Sequence, residues 1–123
     1  MVITLVDDDP LLLRLLTVYL EEEYVVHAFI SAVEALAYLR INPTDLVVSD
    51  INMPDMDGFS LRRCLAEESE AGLMPFLFLT GDQDELTRSQ ANELGADDFL
   101  VKPICKDSLL DAVNQVLNPT KSK

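Results

Sequence analysis

The sequence has no tryptophan, a single histidine, four glycines and only nine lysines and arginines against 22 aspartates and glutamates. With a net charge of −13, it lacks the basic groups that replace phosphate counterions, which excludes direct nucleic-acid binding by this chain. It has no long hydrophobic run. The best stretch, Leu11 to Leu20, contains Arg14 and runs into Glu21, Glu22 and Glu23, well short of the roughly 18 apolar residues of a membrane span. No membrane partner is therefore expected. The first residues carry neither a basic segment nor a small-residue cleavage site, so no signal peptide is expected and the chain is placed in the cytoplasm. Its two cysteines, Cys64 and Cys105, lack metal-ligand spacing and read as buried or free thiols of a reducing compartment.

What remains is an ordinary globular composition. The 123 residues are 49% hydrophobic and 25% charged, enough for one domain with a real core. Residues 1–118 read as that domain. In the tail "NPTKSK", residues 118–123, positions 119–123 read as disordered, either as an end or as the start of a linker. Two periods alternate along the chain. Short β-branched or aromatic runs predict buried strands over Val2–Val6, Tyr24–Phe29, Asp45–Ser49, Pro75–Leu79 and Asp98–Val101. Between them, apolar residues three or four apart predict helices. The expected buried faces are Leu12, Leu15, Leu16, Tyr19 and Leu20; then Val33, Leu36 and Leu39; then Leu61, Cys64 and Leu65. Leu109, Ala112, Val113, Val116 and Leu117 form the last face. A more polar fourth helix is expected over about Gln83 to Leu94, stopped by Gly95. Asp9 can cap the first helix ahead of Pro10, and Ser31 with Glu34 has capping-box spacing.

The order βαβαβαβαβα makes a parallel sheet with helices on both faces, and such sheets bind ligands beyond the carboxyl ends of their strands. The residues at those ends are informative. The first strand runs into Asp7 and Asp8, the third into Asp50, the fourth into Thr80 and Gly81, and the fifth into Lys102 and Pro103. Three carboxylates at one rim repel one another and suit a hard divalent cation; Mg²⁺ accepts a few carboxylates, keeps waters and bridges to phosphoryl oxygens. Aspartate beside a cation and an ammonium can serve as the nucleophile of phosphoryl transfer. Asp9 is expected to be a cap and not a ligand. "DINMPDMDG" is not a calcium loop, because Pro54 and Asp55 occupy the fifth and sixth positions counted from Asp50. His27 lies in the second strand, away from the rim.

Four motifs, "VDDDP", "DINMPDMDG", "LTG" and "GADDFLVKP", together resemble the response-regulator receiver domain of two-component signalling, the family of the chemotaxis regulator. The resemblance covers residues 1 to about 118. It implies an α/β flavodoxin-like (CheY-like) fold, (βα)5, with strand order 2-1-3-4-5. It implies that Asp50 is the phosphoacceptor, taking a phosphoryl group from a sensor histidine kinase or a phosphotransfer protein. The metal site would be Asp7, Asp8, Asp50 and the Asn52 carbonyl, with Asp8 a direct ligand and Asp7 acting largely through water. The cofactor would be Mg²⁺, with Mn²⁺ as a substitute. Thr80, Gly81 and Lys102 would receive the phosphoryl group, and Phe99 would be the switch aromatic. Lys102–Pro103 would be cis. The fourth helix, fifth strand and fifth helix would face an output domain or effector. A domain of this kind catalyses only its own phosphorylation and dephosphorylation.

One departure is that no Arg or Lys follows Lys106 in the last helix, which weakens the case for the dimer typical of regulators with winged-helix outputs. Asn52 and Asp82, both polar, imply a shorter-lived phosphoryl group. The competing readings fit the residues less well. A haloacid-dehalogenase-type Mg²⁺-dependent phosphatase, which also forms an aspartyl phosphate, has a second acid two residues after its nucleophile, where this chain has Asn52. A flavodoxin needs a hydroxyl- and glycine-rich loop where this chain has three aspartates. A degenerate receiver would lack part of the rim.

Overall fold

Apolar side chains on both faces of a strand demand cover on both faces, and β1 (Val2–Val6), β3 (Leu46–Asp50) and β4 (Phe76–Thr80) are buried almost throughout. A computed structural model, describing residues 1–68, 75–81 and 98–118, places them at the centre of a five-stranded parallel sheet. The order is β2-β1-β3-β4-β5, with β2 at Val25–Phe29 and β5 at Asp98–Val101. Every strand pair is parallel, as the alternating pattern requires. The expected fourth helix, Gly95, Asp82 and the tail 119–123 lie outside the described residues.

The helices are α1 (Pro10–Glu21), α2 (Ala32–Leu39), α3 (Gly58–Glu68) and a C-terminal helix, Lys106–Leu117. Strand side chains alternate between two cores. Ile3, Leu5, Leu46, Val48, Leu77 and Leu79 meet α1 and the C-terminal helix through Leu13, Leu16, Leu20, Leu109, Ala112 and Val113. Val6, Val47, Phe76 and Phe78 meet α2 and α3 through Ala32, Ala35, Leu36, Leu39, Phe59, Leu61 and Leu65. Each fully buried Leu or Phe contributes roughly 1.5–3 kcal/mol relative to exposure.

Several expected details shift. The second strand is an edge, with Val25, His27 and Ala28 exposed, so it is not the buried strand its composition suggested. On α1, Leu13 is buried and Leu15 is 43% exposed, because a nearly continuous leucine run fits more than one helical face. On α2, Val33 faces outward while the small Ala32 and Ala35 lie against the sheet. On α3, Cys64 is only half-buried; in the C-terminal helix Val116 and Leu117 are too. Asp9 caps α1, with Pro10 at its start, as expected. Ser31 accepts from the Glu34 amide at 3.4 Å, the outward half of the capping box.

Candidate functional site

Asp7 follows β1 directly. Its amide donates to the Phe29 carbonyl at 3.1 Å, continuing the ladder one residue past the strand. Its side chain is fully buried, and Oδ1 accepts from the Asp9 amide at 2.9 Å. Asp9 turns its own carboxylate to the Leu11 and Leu12 amides at the start of α1. The consecutive acids therefore have separate tasks: Asp9 caps the helix, and Asp7 lies beneath the rim.

Asp50 is the last residue of β3, opposite Leu79 of β4, and is 4% exposed. The chain then leaves the sheet with the Ile51 amide bonded to the Leu79 carbonyl at 3.0 Å, and returns at Gly58, whose amide donates to the Ile51 carbonyl at 2.8 Å. Gly58 is required by space: a Cβ there would stand 2.5 Å from the Asp50 carbonyl oxygen. Thr80 closes β4, is fully buried, and accepts the Lys102 amide through its carbonyl at 2.6 Å. The Lys102–Pro103 bond is cis, as expected. The Lys102 ammonium lies 3.2 Å from Asp7 Oδ2 and 3.4 Å from Asp50 Oδ2.

One carboxylate oxygen each from Asp7, Asp8 and Asp50 lies within 4.8 Å of the others. Asp7 and Asp50 are buried and Asp8 is exposed, so the cluster opens to solvent on the Asp8 side. Burial, then the charge of Asp7, pushes the Asp50 carboxyl up to about 6, against the pull of Lys102. Burial also raises Asp7, opposed by its hydrogen bond from Asp9 and by Lys102. For Lys102, burial lowers the pKa, but Asp50 and Asp7 outweigh it and hold the ammonium above its usual range. Among the described residues, one ammonium, in contact with two of them, thus stands against three carboxylates, and both buried acids still resist ionisation. Among the described residues, the partner of Asp7 Oδ2 is the Lys102 ammonium, 3.2 Å away. A hard divalent cation fits this set, because its donors are all oxygens, two are buried, and their charge is under-compensated.

The structure brings Asp7, Asp8, Asp50 and Lys102 together as the sequence suggested. Thr80, Gly81 and Pro103 stand at neighbouring strand ends, with Gly81 exposed. Asn52 is exposed in the loop between two buried residues, Ile51 and Met53. Phe99 is half-buried against the core that holds Phe76 and Phe78. His27 sits in β2 beside Tyr38, with ring centroids 5.4 Å apart, away from the acids. Cys64 and Cys105 are free thiols.

Sequence reasoning gave Asp55 no role. Its Oδ2 accepts a hydrogen bond from the Ser31 hydroxyl and a long one, 3.4 Å, from the Val33 amide. The Ser31 bond holds the Asp55 carboxyl below its ordinary range. A helix-capping serine and an acidic loop were both visible, but no spacing rule joins residues so far apart. Arg62 was missed too: it is 6% exposed and lies over the Phe76 ring, 5.7 Å from its centroid.

The model of the response regulator receiver domain matches residues 3–114. The TorCAD operon transcriptional regulatory protein TorR of Escherichia coli O157:H7 is 34% identical over 116 residues, covering 94% of this chain and 49% of TorR. The transcriptional regulatory protein AruR of Pseudomonas aeruginosa is 36% identical over 121 residues, covering 94% and 48%. The chain therefore spans about half the length of these curated relatives. Among solved structures, the Vibrio cholerae chemotaxis protein CheY4 superposes with a TM-score of 0.89 at 29% identity, covering 94% of this chain and 98% of that one. The non-phosphorylated HemR receiver domain of Leptospira biflexa gives 0.86 at 35% identity, covering 95% and 94%.

Proposed function

The chain belongs to the response regulator receiver domain family, and from that premise we propose that Asp50 is its phosphoacceptor. The observation that carries the assignment is the meeting of Asp7, Asp8 and Asp50 within 4.8 Å, with Lys102 in contact with two of them. Asp7, Asp8, Asp50 and the Asn52 carbonyl would hold Mg²⁺, or Mn²⁺ in its place. Bound there, the cation supplies charge neutralisation for the phosphoryl oxygens.

The rest is the work of the chain. With its pKa near 6, Asp50 is mostly carboxylate at neutral pH. Its oxygen attacks the phosphorus of a phosphohistidine; the O–P bond forms as the P–N bond breaks, and the imidazole leaves with the electron pair. Lys102 pairs with the added phosphoryl charge, Gly81 leaves room for it beside the rim, and the Thr80 hydroxyl donates to it. Phe99 turns inward as Thr80 moves, which alters the surface around β5. The donor is a sensor histidine kinase or phosphotransfer protein, and the recipient of the signal is an output domain or effector. Residues 1–118 form the receiver. The domain works in the cytoplasm and catalyses only its own phosphorylation and dephosphorylation.

Incubation with acetyl phosphate tests this. Intact mass should show one added phosphoryl group with Mg²⁺ present, none in EDTA, and none for Asp50→Asn. Equal labelling of Asp50→Asn would overturn the assignment.

A further inference from the structure

We propose that Asp55 is a positioning residue for the cation site: its carboxylate latches the loop after Asp50 to the start of α2 and so holds the Asn52 carbonyl toward the acids. This rests on the reading of Asp7, Asp8 and Asp50 as a cation site.

The loop 51–57 is fixed at its root and at its tip, by different means. At the root, Ile51 is bonded to Leu79 and Gly58 is bonded to Ile51. Met53 is buried in the core shared with Ala32, Ala35 and Leu36 of α2. At the tip, Asp55 Oδ2 takes the Ser31 hydroxyl and the Val33 amide, while Oδ1 takes the Met56 amide. Ser31 already serves α2 through the Glu34 amide, so its hydroxyl proton is spent on joining the two segments. The join closes a ring. Asp7 is bonded through its amide to the Phe29 carbonyl, Phe29 leads in two residues to Ser31, and Ser31 holds Asp55. The loop returns from Asp55 to Asp50, and Lys102 spans Asp50 and Asp7. Asn52 lies within that ring, exposed. Released at its tip, the segment loses its tie to α2 and keeps, among the described residues, the packing of Met53 and Met56 and the bonds that Asp57 accepts from the Ser60 and Leu61 amides, so the backbone carbonyl at Asn52 is held less firmly. Residues that orient metal ligands in this way typically matter about 10- to 100-fold in metal affinity.

The test compares Mg²⁺ dissociation constants of the 123-residue chain by calorimetry, together with metal-free amide exchange at Gly58. Asp55→Ala should weaken Mg²⁺ binding about tenfold and speed exchange at Gly58. Ser31→Ala should do the same although it removes no charge, which separates a latch from simple loss of a nearby carboxylate. Asp55→Asn keeps an acceptor oxygen and should bind more tightly than Asp55→Ala. The double variant should bind Mg²⁺ no more weakly than Asp55→Ala, because the bond between Ser31 and Asp55 is already lost in that single variant. If Asp55→Ala melts lower yet binds Mg²⁺ as the wild type does, Asp55 is a helix cap and the latch is refuted. If Ser31→Ala binds normally while both Asp55 variants weaken, charge explains the effect and the latch is equally refuted. Absence of Mg²⁺ binding in the wild type would instead overturn the cation site itself.

Discussion

Asp50 is buried, and burial followed by Asp7 pushes its carboxyl up to about 6 from an ordinary 3.8. A carboxyl whose folded pKa lies above its unfolded value keeps its proton longer in the folded state. Its contribution to stability therefore falls as pH rises from about 4 to about 6 and stays lost above that. The buried charge costs on the order of 2–3 kcal/mol at neutral pH. Asp50→Asn should thus be more stable than the wild type in EDTA at pH 7.5, by roughly 1–3 kcal/mol, and the gap should close near pH 4. Urea unfolding at the two pH values checks this; a wild type that overtakes the variant as pH rises would show the charge to be stabilising. Asp7, Asp8, Asp50 and Lys102 were legible in the sequence because strand ends can be located from apolar runs and the residue types there are chemically unusual. The bond between Ser31 and Asp55 was not, because it depends on how α2 lies beside a loop 24 residues further along.

At the scale of elements, α3 is set against the end of β3 at Gly58, where a Cβ would meet the Asp50 carbonyl oxygen at 2.5 Å and Ile51 Cα at 3.1 Å. Gly58→Ala must push the helix start away from the backbone that carries Asp50. It should destabilise the fold by about 1–3 kcal/mol and slow phosphorylation by acetyl phosphate at matched folded fraction. An alanine variant with wild-type stability and rate would show that the close approach is not required. The number, type and order of the described elements followed from the two hydrophobic periods. Which side chains face inward followed less well. Leu11, Leu12, Leu13, Leu15 and Leu16 surround Arg14 on nearly every side of α1, so apolar spacing alone fits more than one face, and the buried stripe proved to be Leu13, Leu16 and Leu20. On α2 the small Ala32 and Ala35 lie inside where Val33 looked the better core residue. Arg62 is buried because its guanidinium covers an aromatic ring, a contact that charge alone does not suggest.

Across the whole molecule, the acid cluster joins β1 to β3 and, through Lys102, both to the end of β5. A ligand that binds only this folded arrangement stabilises all of it by mass action, about 2.7 kcal/mol at a hundredfold excess over Kd. Mg²⁺ should therefore raise the melting temperature of the wild type and raise that of Asp8→Asn much less; equal gains would remove Asp8 from the site. The sheet order was legible only through the family resemblance. The rotation of individual helices needed the packed structure. The central claim concerns one oxygen, so the most direct measurement locates the phosphoryl group. Borohydride reduces an acyl phosphate to the alcohol, turning a phosphorylated aspartate into homoserine. After acetyl phosphate and Mg²⁺, peptide mass spectrometry should find homoserine at position 50, with Asp7 and Asp8 unchanged. Homoserine at position 7 or 8, or phosphate retained on a serine or threonine, would contradict it.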